Sequence, residues 1–269
     1  MDSETETLHR MLLQMTDDIH KAFMADGIPY YVVGGTAIGC VRDNGRMVPW
    51  DDDVDIVFDA CWSEAVAESL RNHLSQKYIV EMPDSKENHK GYFRVVMPNT
   101  CLIRNVHDRN DKGISVELFP MIGVPEKGVR RKIQFMMSRL HILLNMAGDY
   151  VPKPLVPVCI GFRKAVRMVI DRIGSGDDCD CDDCDCVSPL NGCFFDEIVP
   201  RDVFGKPTPH EIMGIEMMFP EDLEGYLGMV YGDYMSLPPV EKRVPTYLVL
   251  DTKNGWMEHM DEARAIQKR

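Results

Sequence analysis

No uninterrupted apolar run of about 18 residues occurs in the chain, which excludes a conventional membrane-spanning helix. The opening residues, Met1-Asp2-Ser3-Glu4-Thr5-Glu6, lack the positive start of an export signal. Basic residues are in deficit, with 30 Lys and Arg against 43 Asp and Glu and a net charge of −13. That balance argues against broad electrostatic binding to nucleic acid or to an anionic membrane surface. The nine cysteines are an odd number in a chain without an export signal, so no disulfide framework is expected and a reducing cytoplasm fits best. Internal repeats of solenoid period are also missing. At 269 residues the chain suits one large domain, or a domain with an appended subdomain.

What it does have is a concentration of acid at one place. Pro49-Trp50-Asp51-Asp52-Asp53-Val54-Asp55-Ile56-Val57-Phe58 puts four carboxylates in five residues and runs into an apolar segment that reads as a buried strand. In an extended chain alternate residues share a face, so Asp51, Asp53 and Asp55 line one side while Asp52 and Val54 face the other. Like charges about 4 Å apart repel by roughly 4 kcal/mol at an effective dielectric near 20. A hard divalent cation such as Mg²⁺ reverses that sign; the alternative is a solvated acidic turn ahead of a strand.

Upstream, Leu8, Met11, Leu12, Met15, Ile19 and Phe23 recur at helical spacing, and the helix ends at Asp26-Gly27. The run Tyr30-Tyr31-Val32-Val33 reads as a strand. Gly34-Gly35-Thr36 then leads into a short helix over Ala37–Val41, with Thr36 as its cap. Such a strand, glycine turn and helix start exposes backbone N–H groups that suit phosphate, though an ordinary tight turn explains the same residues. Arg42 and Arg46 follow. Either suits a phosphate oxygen or a neighbouring acid such as Asp43; Arg42 lies closer to the glycines.

Further along, residues 61–76 read as an amphipathic helix, with β-rich runs at Tyr78–Val80, Tyr92–Met97 and Cys101–Val106. Gly113–Pro120 reads as a strand with Glu117 alone among apolar residues. That acid is costly unless it has a partner or points to water. Beside Asp53 and Asp55 it becomes a third carboxylate, as metal ligand or general base. Val129–Met146 is helical and Met-rich, and the spacing predicts that its Ile, Met and Leu residues fill the core. A Pro-rich linker over 151–157 precedes a helix expected over Ile160–Ile173.

Residues 177–186 interleave Asp and Cys, and Cys193 follows. A mobile acidic loop, a thiolate metal site and a redox role all fit that composition. Near the C-terminus a short helix over Pro220–Val230 leads to Tyr231-Gly232-Asp233-Tyr234-Met235-Ser236-Leu237-Pro238-Pro239. This rigid aromatic segment suits either a pocket wall for a base or a choline-like cation, or a strap over the core.

Taken together these blocks resemble the LicD/fukutin family of phosphotransferases. The matching residues are Gly34-Gly35-Thr36-Ala37-Ile38-Gly39 with Arg42, the Pro49–Ile56 block, Val116-Glu117-Leu118-Phe119-Pro120, and Tyr231–Met235 with Leu237-Pro238-Pro239. They occur in the family's order from about residue 28 to residue 243. The resemblance implies an α+β fold, a nucleotidyltransferase-like small mixed sheet flanked by helices with a helical C-terminal portion. It implies one domain over 1–269, its core over 28–122. The portion over 123–269 would hold the acidic Cys-rich loop 174–193 and a pocket segment over 220–243. It further implies Mg²⁺ or Mn²⁺, a CDP-choline or similar CDP-alcohol donor, a glycan or glycolipid acceptor, and release of CMP.

On that resemblance Asp53, Asp55 and Glu117 are the metal ligands, and Glu117 or Asp51 is the base. Gly34, Gly35, Thr36 and Arg42 hold phosphate, while Trp50, Tyr231, Asp233 and Tyr234 surround the donor. The chain has Glu117 where the family pattern usually shows Asp, and the extra methylene favours a base role over direct ligation. A nucleotidyltransferase that releases pyrophosphate and a non-catalytic metal-binding protein are the competing readings.

Overall fold

The computed structural model describes residues 3–109, 112–174, 186–189 and 197–268. Helix α1 (Ser3–Asp26) buries Leu8, Leu12, Met15, Ile19 and Phe23 completely, along the stripe that their spacing predicts. Gly27 ends it at a φ of +67°, a left-handed cap that costs glycine no Cβ clash. After β1 (Tyr31–Val33) the chain turns directly into α2 (Gly34–Arg42). Here the structure corrects the sequence reading. The helix begins at Gly34, whose φ of +69° makes the sharp turn, and Val33 is its N-cap. Thr36 therefore caps nothing; it lies in the first turn with a buried, unpartnered Oγ1.

The main sheet takes in β2 (Asp55–Asp59), β3 (Ile79–Glu81), β4 (Phe93–Val96) and β6 (Ser115–Val124), in the order β1-β2-β6-β4-β3. Only the β2–β6 pair is parallel among these neighbours. Its crossover carries α3 (Ser63–Leu74). Ile56, Val57 and Phe58 of β2 have no solvent exposure, as expected for a central strand against α1. A separate ribbon pairs β5 (Cys101–Ile103) with β11 (Val249–Asp251), so the last third of the chain returns to the first.

Beyond β6 come α4 (Val129–Tyr150) and α5 (Val156–Gly174), which pack on each other. Pro157 sits in the first turn of α5, where its missing N–H is harmless, so the helix starts before Ile160. The Ile, Met and Leu stripe of α4 is not core: Met136 is 63% exposed and Leu143 62%. Gln134, Ser138, His141 and Asn145 face inward instead; Gln134 and Asn145 meet polar partners there, while Ser138 Oγ and His141 Nδ1 find none among the described residues. Gln134 Nε2, for example, donates to Gly123 O at 2.8 Å.

Strands β7 (Cys186–Pro189) and β8 (Val199–Pro200) extend the sheet from β6, and α6 (Arg201–Phe204) follows. Apart from Cys186, the Cys- and Asp-rich residues 177–186, and Cys193, lie outside the described residues. A hairpin of β9 (Thr208–Ile212) and β10 (Ile215–Phe219) turns at Met213 and Gly214, both at positive φ. Its tip holds the loop after α2, with Met213 N donating to Gly45 O at 2.8 Å. Helices α7 (Leu223–Tyr231) and α8 (Met260–Gln267) complete the α+β architecture.

Because the α1 stripe is sealed between the sheet and its neighbours, Leu12→Ala should cost about 3 kcal/mol of stability. Urea unfolding should show a lower midpoint at unchanged slope.

Candidate active site

Strand register gathers the ionisable residues into one row. Asp55 stands opposite Glu117, Glu117 opposite Arg94, and Arg94 opposite Glu81, across β2, β6, β4 and β3. Residues in register present their side chains to the same face of a sheet. On the other side Asp55 is opposite Val33, the last residue before the Gly34 turn. The row therefore runs directly up to the glycines.

The acidic loop ahead of β2 alternates as an extended chain must. Asp52 and Val54 are buried, at 3% and 1% exposure, while Asp51, Asp53 and Asp55 keep part of their surface open. Asp52 is structural. It accepts from Thr246 N at 2.7 Å, from Thr246 Oγ1 at 2.9 Å and from Arg104 Nη2 at 3.0 Å. Thr246 precedes β11 and Arg104 follows β5, so the small ribbon locks the loop from behind. From the other direction, His9 of α1 donates Nε2–H to Asp51 O at 2.8 Å. Burial lowers the His9 pKa, which suits a neutral ring in that contact.

Two guanidiniums face the carboxylates. Arg104 Nη2 reaches Asp53 Oδ2 at 3.2 Å as well as Asp52. Arg94 is fully buried and pairs with Glu81 at 2.9 Å, with Glu117 at 3.5 Å and with Ser115 Oγ at 3.0 Å. This does not neutralise the group. Asp55 is pushed well above the usual carboxylate range by lost hydration first, then by Asp53, Glu117 and Asp51. Asp51 is raised likewise, by lost hydration and then by Asp53 and Asp52. One of its oxygens, Oδ2, is buried with no hydrogen-bond partner.

The glycines make room for these acids. A Cβ on Gly35 would stand 2.2 Å from Asp51 Oδ2, and one on Gly34 would stand 3.2 Å from Asp55 Oδ2. Next to Gly35 opens a cleft of about 240 Å³ lined by Arg42, Trp50, Asp51, Tyr234, Ser236 and Pro238 among others. The Arg42 guanidinium lies 5.7 Å from the centre of the Trp50 ring and makes a forked pair with Asp43 at 2.9 and 3.3 Å. Arg46 is exposed, away from the cleft lining. Asp233 accepts from Ser236 N and Oγ, at 3.3 and 2.6 Å, and so closes the turn that presents Tyr234. Tyr231, at the end of α7, does not line the cleft and is 39% exposed.

The structure thus brings Asp51, Asp53, Asp55 and Glu117 within electrostatic reach of one another beside Gly34 and Gly35. Among the described residues no three His, Cys, Asp or Glu side chains are arranged to hold a metal ion as they stand. The donor chemistry nevertheless suits a hard cation: oxygen ligands only, two of them with raised pKa values, and one buried oxygen without a partner. Arg94, Arg104, His9 and Thr246 escaped the sequence reading. For the arginines a signal existed, since each is a lone cation in or just after a short β run, Phe93-Arg94-Val95-Val96 and Leu102-Ile103-Arg104. Such a charge needs a buried counter-ion.

Residues 27–155 match the family described as LicD/FKTN/FKRP, nucleotidyltransferase domain. This stretch, just under half of the chain, is similar to the LicD family. Along 258 residues the chain is also similar, at 22% identity, to the Lipopolysaccharide cholinephosphotransferase LicD of Haemophilus influenzae. That similarity covers 88% of this chain and 93% of the relative. The LicD-family match takes in every carboxylate of the row and the glycine turn, and stops within the α4–α5 connection.

Two neighbouring aspartates should respond to substitution with opposite signs. Asp52→Ala leaves Thr246 N–H without its acceptor and Arg104 with Asp53 and the residue-52 carbonyl, and should destabilise by about 2 kcal/mol. Asp55→Asn should raise the melting temperature at neutral pH in the absence of divalent ions. A carboxyl whose folded pKa lies above its unfolded value penalises folding at any pH above that range. The penalty vanishes as pH falls below the unfolded pKa, so the two melting curves should converge in acid.

Proposed function

We propose that this chain transfers phosphocholine, or a related alcohol phosphate, from a CDP-linked donor to a hydroxyl of a glycan or glycolipid and releases CMP. The observation that carries the reading is the set of strained carboxylates at the Gly34–Gly35 turn, next to a cleft walled by Trp50 and Tyr234. Repulsion of that kind is tolerated where a cationic partner is bound during function. The Haemophilus relative, a lipopolysaccharide cholinephosphotransferase by name, supports the same class of transferred group.

In this reading Asp53 and Asp55 hold Mg²⁺ or Mn²⁺, with Glu117 and the orphaned oxygen of Asp51 alongside. The ion would supply Lewis-acid stabilisation of charge on the diphosphate. The chain's own groups do the rest. Backbone N–H groups at the start of α2 meet phosphate oxygens, and Gly34 and Gly35 allow that approach because no Cβ intervenes. Arg42 can turn its fork from Asp43 to an oxygen without leaving Trp50. The acceptor oxygen bonds to the phosphorus of the transferred group as the bond from that phosphorus to the CMP oxygen breaks. The hydroxyl proton passes to a carboxylate. Asp51 lines the cleft beside Gly35, whereas Glu117 is partly engaged by Arg94. Positioning and electrostatics carry most of the rate in such transfers.

The family's nucleotidyltransferase description supports a second reading, in which a nucleoside triphosphate is the donor and pyrophosphate leaves. Incubation with CDP-choline and CDP-ribitol, with Mg²⁺ or a chelator, separates the two by product. CMP should appear with one CDP donor and an acceptor glycan, only when the metal is present. Asp53→Asn and Asp55→Asn should each lower kcat by about 100-fold or more. Near-normal metal-dependent turnover in both variants would remove these residues from the mechanism.

A further inference from the structure

The pair α4 and α5 is built inside out. Along α4 the buried positions are Gln134, Ser138, His141, Asn145 and Gly148, a polar seam of heptad spacing. Two of its members are partnered: Gln134 donates to Gly123 O and Ile170 O, and Arg163 of α5, itself buried, donates to Asn145 and to Asp84. Apolar side chains occupy the opposite face at the same spacing. Val129, Ile133, Met136, Leu140, Leu143 and Tyr150 are between 39% and 72% exposed. On α5, Val158, Phe162, Met168 and Val169 continue the surface at 43% to 66%. An ordinary amphipathic helix on a water-facing surface has the reverse pattern. So many exposed apolar side chains on two packed helices mark an interaction site.

Charge identifies the partner. Residues 127–174 contain ten Lys and Arg against two Asp and no Glu, a net charge of +8; the other residues then sum to −21, since the whole chain carries −13. Both aspartates are engaged, Asp149 with Lys90 and Asp171 with Arg167. Arg130, Lys132, Arg139, Lys153, Lys164 and Arg172 are exposed around the apolar stripes. A second copy docked by the same face would set +8 against +8. Of the segments outside the described residues, 175–185 offers no apolar side chains beyond Cys, and 190–196, with Leu190, Phe194 and Phe195, is seven residues long, too short to cover two helix faces. Basic residues flanking long apolar ones match a surface that is negative at its rim and hydrocarbon beneath. Among the described residues no helix is long and apolar enough to cross such a layer.

We propose that the exposed face of α4 and α5 docks flat on an anionic lipid bilayer, its apolar stripes in the headgroup boundary and its Lys and Arg on the lipid phosphates. The docking stands whether or not the chain transfers phosphocholine. The full chain should co-sediment with vesicles of equimolar phosphatidylglycerol and phosphatidylcholine, at least about tenfold more than with phosphatidylcholine alone, and less at high salt. Leu143→Ser with Phe162→Ser should lose about tenfold of that binding at an unchanged melting temperature, since both side chains are exposed. Lys132→Glu with Lys164→Glu should lose as much. A Leu143→Trp variant gives an independent readout: its fluorescence should shift to the blue on adding the anionic vesicles. Absence of sedimentation and of the shift would overturn the proposal. So would serine variants that bind like the parent, or a lipid-free dimer that those variants disperse.

Discussion

Mutual repulsion among Asp51, Asp53, Asp55 and Glu117 is the constraint to which the rest of the structure answers. Carboxylates separated by a few ångströms resist being drawn together by some 4 kcal/mol a pair at an effective dielectric near 20. No side-chain attraction within the group offsets that, so the geometry is imposed by the backbone. Parallel pairing of β2 with β6 fixes Asp55 beside Glu117, and the apolar half of β2, sealed under α1, anchors the pairing. Arg94 and Arg104 relieve the group at its two margins, on Glu117 and on Asp53. Between them Asp55 and Asp51 keep raised pKa values. A site held together by core packing and left electrostatically short of positive charge is the feature on which the proposed cation binding rests.

The second constraint is space. The glycines at 34 and 35 answer to space as well as to the turn: a Cβ on Gly35 would overlap Asp51, and one on Gly34 would crowd Asp55 Oδ2 at 3.2 Å. Gly34 does both, since its φ of +69° also lets α2 start at the end of β1. The same economy holds for Asp52. Pointing inward, it spends its charge on Thr246 and Arg104 and fixes the loop on which its neighbours point outward.

Periodicity carried much of this into the sequence. The α1 stripe, the alternation through Asp51–Asp55 and the strand around Glu117 are legible because each has a period of its own. Where partners come from distant segments, legibility ends. Nothing near Asp52 announces Thr246, 194 positions away, and a hairpin turning at Met213-Gly214 carries no Asn or Asp to signal it. The cleft beside Gly35 is of the same kind: Trp50 and Tyr234 line it from distant segments, and Asp233 closes the turn that carries Tyr234 by accepting from Ser236.

Helix α4 exposes a deeper limit. A heptad stripe of apolar residues and a heptad stripe of polar ones are the same pattern read from opposite sides, and spacing does not say which side meets the protein. The answer lies in what the neighbours offer. Gly123 O and Ile170 O need donors, and Gln134 Nε2 supplies both, at 2.8 and 3.2 Å. His141 is carried inward with them, its pKa pressed down to about 3 by burial and by Arg167, so it stays neutral there. Once those polar groups claim the inside, Met136, Leu143 and Phe162 are left facing out, amid lysines and arginines in a chain that is otherwise acid. A whole-chain charge averages that contrast away. Net charge describes how a molecule moves through a field, but what it touches is decided by the face it turns.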